Sequence, residues 1–328
     1  MTALLSQVGL AKESTYGTAV TPSRFFEFTS EGLKPAVARL ESKGIRAGAR
    51  AFRNDRSQPV PKGAAGSLEF EVPTKGFAFW LEHLLGGTVT TSAVVDANYT
   101  HTAQIGSLYG KGLTAQVGRP FNPSETVQPF TMSGGKVTSW SLSIERDGFL
   151  MCSVELDFGT HTTATALATA TYPSGFLQFP WASAGISIGG TGVCVTKFEI
   201  KVDNGLQTDN YMICNSTTKH EPKEAGKRKI EWSAECEFAD LTQANRVLST
   251  TRAGMHAPIV ATFLGSEAHG GTTLPQLLVT LPAARFDDGL PEVKGEDPLM
   301  LSLSGIGTDD GTATTALQVA YRTTDATP

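Results

Sequence analysis

At 328 residues, 40% of them hydrophobic, the chain is long enough for two ordinary cores, and its 18% charged content with abundant Gly, Thr, Ser and Ala suits a β-rich, turn-rich protein. A formal net charge of −5 argues against a general nucleic-acid binder, which is basic overall. That average hides an asymmetry: residues 34–62 hold eight Lys/Arg against Glu41 and Asp55, so this stretch is +6 and the remainder −11.

In chain order, Phe26-Glu27-Phe28 predicts a strand, and Gly32-Leu33 follows it. Residues 34–66 are too polar and too punctuated by Pro and Gly for core, so they predict a projecting loop or hairpin arm. Leu68, Phe70 and Val72 alternate as a strand does. In residues 75–85, Phe77, Trp80, Leu81, Leu84 and Leu85 recur at helical spacing, and Gly86-Gly87 supplies the stop. Residues 88–100 predict an exposed loop, and residues 113–118 a strand ending in glycine. Trp140, Leu142 and Ile144, then Leu150, Cys152, Val154, Leu156 and Phe158, predict a hairpin around Asp147-Gly148. Residues 160–175, rich in Thr and Ala, predict a linker.

The second half runs through a similar series. A strand over residues 193–202, with Phe198-Glu199-Ile200, stops at Asn204-Gly205, and residues 207–229 form a shorter, less basic arm. Ile230, Trp232, Ala234, Cys236 and Phe238 alternate, and residues 240–249 predict a helix with Leu241, Ala244, Val247 and Leu248 on one side. Strands follow at 259–265, at Leu277, Val279 and Leu281, at Leu299, Leu301 and Leu303, and at Leu317, Val319 and Tyr321. The outline repeats, which predicts two diverged copies of one unit, residues 1–175 and 176–328, a ring-forming or stacking building block.

Chemistry-bearing motifs are missing from this sequence. HExxH, P-loop, GxSxG and strand-to-helix GxGxxG do not occur, and the six histidines are scattered, so no enzyme activity, cofactor or metal is expected. Asp287-Asp288-Gly289 and Asp309-Asp310-Gly311 read as turns. Cys152, Cys194, Cys214 and Cys236 are widely spaced and read as small buried hydrophobes in a reducing compartment. Residues 1–10 lack the features of a secretion signal and no apolar run approaches the roughly 18 residues of a membrane span, so no membrane anchor is expected. Glu69/Glu71 and Glu235/Glu237 place paired acids on one strand face in each half, an acidic surface common to both. For the basic arm, a solvated loop, nucleic-acid binding and docking on the acidic remainder of a neighbouring copy are the three readings. The charge asymmetry favours the last, through Lys43, Arg46, Arg50, Arg53 and Arg56.

Three features together resemble the tail tube (major tail) proteins of long, non-contractile-tailed bacteriophages. They are Tyr16-Gly17-Thr18-Ala19-Val20-Thr21-Pro22 after Glu13-Ser14-Thr15, then Ser30-Glu31-Gly32-Leu33 with the Gly44-Ile45-Arg46 arm, and the strand over 66–72 running into Lys75-Gly76-Phe77. The resemblance implies a mainly β fold of two tandem tail-tube-type β-sandwich/barrel domains, each flanked by one α-helix. It implies a structural virion protein, assembled in the host bacterial cytoplasm, whose rings stack into the tail tube around a channel for DNA. Partners implied are the chain itself, the tail tip and head-proximal tail proteins, and genome DNA passing without specific binding. Two tube domains per chain would make a trimeric, pseudo-hexameric ring, whereas a decorating second half would leave a true hexamer.

DNA must not stick to such a channel, so an acidic, hydroxyl-rich lumen is expected. Glu145, Glu155 and Asp157 with Ser141, Ser143 and Ser153 share the polar face of the first hairpin and are the candidates for it; Glu292, Glu296, Ser302 and Ser304 would match them in the second half. The rival reading is a two-domain β-sandwich that binds a ligand such as a glycan, with aromatics clustered in loops. Trp80, Trp140 and Trp232 instead fall on predicted core stripes, leaving Trp181 unplaced.

Overall fold

The computed structural model describes residues 3–121, 126–213, 218–269, 271–293, 296, 298–311 and 315–328. The fold is mainly antiparallel β, with two α-helices among the described residues, Ala78–Leu85 and Thr242–Val247. Period-two alternation dictates this. Along Lys229–Glu237, buried Ile230, Trp232, Ala234 and Cys236 alternate with exposed or half-buried neighbours, so one face of the strand seeks a core.

The two halves share one pairing scheme. In the first, Gln7–Glu13 pairs with Gly112–Phe121, which pairs with Thr126–Glu145, then Met151–Phe158, then Ser57–Glu71, and finally Lys34–Glu41. In the second, Ala184–Ile188 pairs with His256–Leu264, then Gln276–Asp288, Met300–Thr308, Lys229–Glu237 and Val195–Asp203. Chain order and pairing order correspond strand for strand.

A joint unites these series. Val195–Asp203 pairs on its other side with residues 139–145 of the Thr126–Glu145 strand, from Lys197 opposite Glu145 to Asp203 opposite Ser139. Lys34–Glu41, Ser57–Glu71, Met151–Phe158, Thr126–Glu145, Val195–Asp203, Lys229–Glu237, Met300–Thr308 and Gln276–Asp288 therefore form one continuous run. A second tie is unforeseen: residues 88–100, expected as a loop, contain Thr90–Ala93 hairpinned to Tyr99–Gln104, which pairs with the last strand, Gln318–Thr323. A single apolar core runs from Val8 to Tyr321.

The first helix fulfils its pattern. Trp80 is fully buried and stacks on Phe70 at 5.5 Å, and the helix ends at Gly86, φ 77°, whose N–H donates to Glu82 O. A Cβ on Gly86 would meet Gly106 O at 2.3 Å, so glycine serves both the turn and the close approach. The second helix departs from expectation. It spans six residues, buries Ala244, and leaves Leu241 and Leu248 about 60% exposed because one and a half turns cannot turn four apolar residues onto one sheet. Asp240, the residue before the N-cap Leu241, accepts the Thr242 N–H at 2.7 Å. Trp140 and Trp232 are buried and Trp181 is exposed. Cys152 and Cys236 are buried free thiols, Cys194 is an exposed one, and Cys214 lies outside the described residues.

His83, on the buried side of the first helix, has neither ring nitrogen hydrogen-bonded. Burial, with Lys12, Lys136 and Lys111 nearby, drives its imidazole from 6.5 down to about 3. It is neutral in the fold and protonates in the unfolded chain, so its contribution is complete above pH 6.5 and is lost as pH falls toward 3. Between pH 7 and 4.5 this amounts to roughly 3 kcal/mol. A His83→Phe variant is expected to lose that share of acid sensitivity, read as a smaller drop in urea midpoint than wild type over the same pH range.

Candidate assembly surfaces

The basic stretch is a β-hairpin. Lys34–Glu41 pairs with residues 57–65 from Lys34 opposite Ala65 to Glu41 opposite Ser57, and the tip, residues 42–56, is exposed throughout. Arg53 is forked onto Asp55 through two bonds of 2.9 Å. Lys43, Arg46, Arg50 and Arg56 have no ion pair among the described residues. Ile45 and Phe52 also stand in water, 102% and 84% exposed.

The counterpart arm behaves differently: it is folded back on the first half and pinned there. Lys136, 1% exposed, bonds Glu221 at 2.6 Å and donates to Leu108 O. Lys219 bonds Asp157 at 2.5 Å, both nearly buried. Glu221 and Glu224 accept the Gly110 and Leu108 N–H groups, and Arg228 donates to Leu85 O and Gly106 O. Burial pushes the Asp157 carboxyl up while Lys219 draws it back, and burial pulls the Lys136 ammonium down.

Glu13 and Tyr16 line the same junction. The Glu13 carboxylate accepts Gly17 N–H, Thr114 Oγ1–H and Gly134 N–H at 2.7–2.8 Å. Lys136 sits 5.5 Å from the Tyr16 ring centroid. The Tyr-Gly-Thr stretch is thus an internal brace where the returning arm docks.

Cross-strand register assembles the polar face in rows. Ser67, Glu155, Ser139, Asp203 and Lys229 form one, and Glu69, Ser153, Ser141, Lys201 and Glu231 the next. Glu71, Met151, Ser143, Glu199, Ser233 and Ser304 form a third, and Glu145, Lys197, Glu235 and Ser302 a fourth. Across these four rows carboxylates outnumber lysines eight to three. Lys197 is tied to Glu145 and Lys229 to Glu231, each at 2.6 Å.

Glu145, Glu155, Ser141, Ser143 and Ser153 are therefore neighbours on one face, joined by Ser302 and Ser304. Asp157 continues the same face but is covered. The strand keeps its alternation there, with Glu155 opposite Ser67 and Asp157 opposite Ala65, and Asp157 is buried because the returning arm lays Lys219 over it. Glu292 and Glu296 lie in the connection after Gln276–Asp288, outside any strand.

One end of the eight-strand run is open and the other partly so. Beyond Lys34–Glu41 no further strand pairs among the described residues, and Val37 and Leu40 are exposed there. At the other end His256–Leu264 covers Gln276–Asp288 as far as Arg285, so residues 287–293 have no strand on that side among the described residues, and Leu290, Val293 and Met300 are exposed. Unpaired edges with exposed apolar side chains are templates for another chain.

Fold and surfaces together define a β-sheet assembly subunit. A family model described as phage tail tube protein matches residues 3–307, and the chain belongs to that family. It is a structural protein of the virion tail. No curated protein matches the chain.

Proposed function

We propose that each half of the chain acts as one tube domain and that three chains close into a pseudo-hexameric ring, rings stacking into the tail tube. The observation that carries this is the joint of Val195–Asp203 with residues 139–145: one chain already holds the lateral contact by which one domain's sheet continues into the next. Three such internal joints would alternate with three between chains, made by the open edge near residues 288–293 and the next chain's edge at Lys34–Glu41. Contacts of this heterologous kind close when the rotation closes, and a closed barrel removes the exposed edges.

In this arrangement the four polar rows face the channel. Their excess carboxylates keep the DNA backbone from settling on the wall, and the interspersed serines and paired lysines hold the field moderate. DNA then passes without specific binding, in a tube assembled in the host cytoplasm and bounded by tip and head-proximal proteins. Reversing Glu155, Glu199 and Glu235 to Lys tests the wall directly: virions are expected to eject DNA about tenfold more slowly at low salt, the difference shrinking as salt rises. Unchanged ejection kinetics from morphologically normal tails would show that these rows do not face the channel.

A further inference from the structure

Against the segment that leads into the first helix lies a groove of about 450 Å³ walled by Phe25, Phe28, Tyr172 and Phe176, with Glu27 and Glu71 among its lining carboxylates. Tyr172 packs edge-on to Phe25 at 6.3 Å and is 44% exposed, so aromatic surface stands ready without an occupant from this chain. We infer that this groove receives the hairpin tip, residues 42–56, of a second copy of the chain in the adjacent ring. The inference rests on the stacked-ring reading and names the site at which stacking occurs.

Three features select that occupant. First, the tip offers what the groove lacks: Ile45 and Phe52 are fully or nearly fully exposed, and the groove has room for one aromatic and one aliphatic side chain. Second, Lys43, Arg46, Arg50 and Arg56 flank those two residues without ion-pair partners among the described residues, and Glu27 and Glu71 are likewise without ion pairs. Arg24 and Lys75 also lie on the wall, Lys75 turned to Ser174 O, and the three carboxylates Glu27, Glu71 and Asp325 outnumber these two cations. Third, groove and tip sit at opposite ends of one strand. Ser57–Glu71 is 15 residues long, which separates its two ends by roughly 45 Å. The tip therefore cannot reach its own groove. A contact between opposite ends of identical molecules is heterologous, and repeated without closure it builds a filament.

The test uses wild-type protein assembled into rods, treated with a zero-length carbodiimide cross-linker and mapped by peptide mass spectrometry. Cross-links between chains from Lys43 to Glu27 or Glu71 are expected. Tyr172→Ala, an exposed position, should lower their yield at least tenfold. As a second probe, a benzophenone amino acid at position 52, which preserves an aromatic side chain, should label residues 23–29 or 171–178 of another chain. Rods whose tips cross-link elsewhere overturn the inference and leave the ring reading standing. Failure of the wild-type protein to form rods at all would remove both.

Discussion

A chain in which residues 42–56 are replaced by Asn-Gly is expected to fold normally and to form no rods. Glu41 and Ser57 are opposite one another in the hairpin, so a two-residue turn can close it without disturbing the register. Every residue removed is exposed, so the core is untouched and the melting temperature should stay within about 2 °C of wild type. Assembly should nevertheless fail between rings, because the deletion removes the apolar tip and the unpaired cations together. Electron microscopy should show single rings or free chains where wild type gives hollow rods. Rods of normal length from the shortened chain would mean that the hairpin does not carry stacking.

Lys219→Met should be the most destabilising surface-arm substitution, by about 3 kcal/mol, because it strands the Asp157 carboxylate where water reaches it poorly. Asp157 Oδ2 already lacks a partner, and Tyr16 and Tyr211, whose hydroxyls are also unpaired, stand in the same junction. Removing the lysine leaves no cation on the carboxylate. The double variant Asp157→Asn/Lys219→Met should recover most of the loss, since replacing both members of a buried pair is far less costly than replacing one. Chemical denaturation of these two and of Asp157→Asn alone completes the cycle. A double variant as unstable as the single one would show that shape, and not charge, holds the second arm down.

The sequence reads well where a periodic pattern coincides with a face that is buried. Residues 75–85 place their apolar side chains on one stripe, and the helix follows from that stripe and its glycine stop. The strands around Trp140, Cys152 and Trp232 follow from strict alternation. Thr90–Ala93 could not be read this way, because all four residues are exposed and carry no alternation. Its existence depends on Gln318–Thr323, more than 200 residues away, which pairs with the next strand. Leu241 and Leu248 misled in the opposite sense, since apolar spacing does not say how long a helix will be.

For the surfaces, the hairpin arm was legible from its charge and its lack of core residues. The burial of Asp157 was not, because the lysine that covers it, Lys219, is 62 positions away. Nor was the pinning of the second arm. Lys136 lies in a stretch rich in Thr, Ser and Gly that gives no sign of burial, and its partner Glu221 is 85 positions away. The joint between residues 139–145 and Val195–Asp203 was equally hidden, since any two alternating strands can pair.

Cryo-electron microscopy of the assembled rod, with the number of chains per ring read from its cross-section, bears most directly on the account. Three chains around the channel, with residues 139–145 joined to 195–203 within each chain and a like joint between chains, is the predicted result. Six chains per ring with the carboxy-terminal half outside the wall, or protomers that share no sheet, would contradict it.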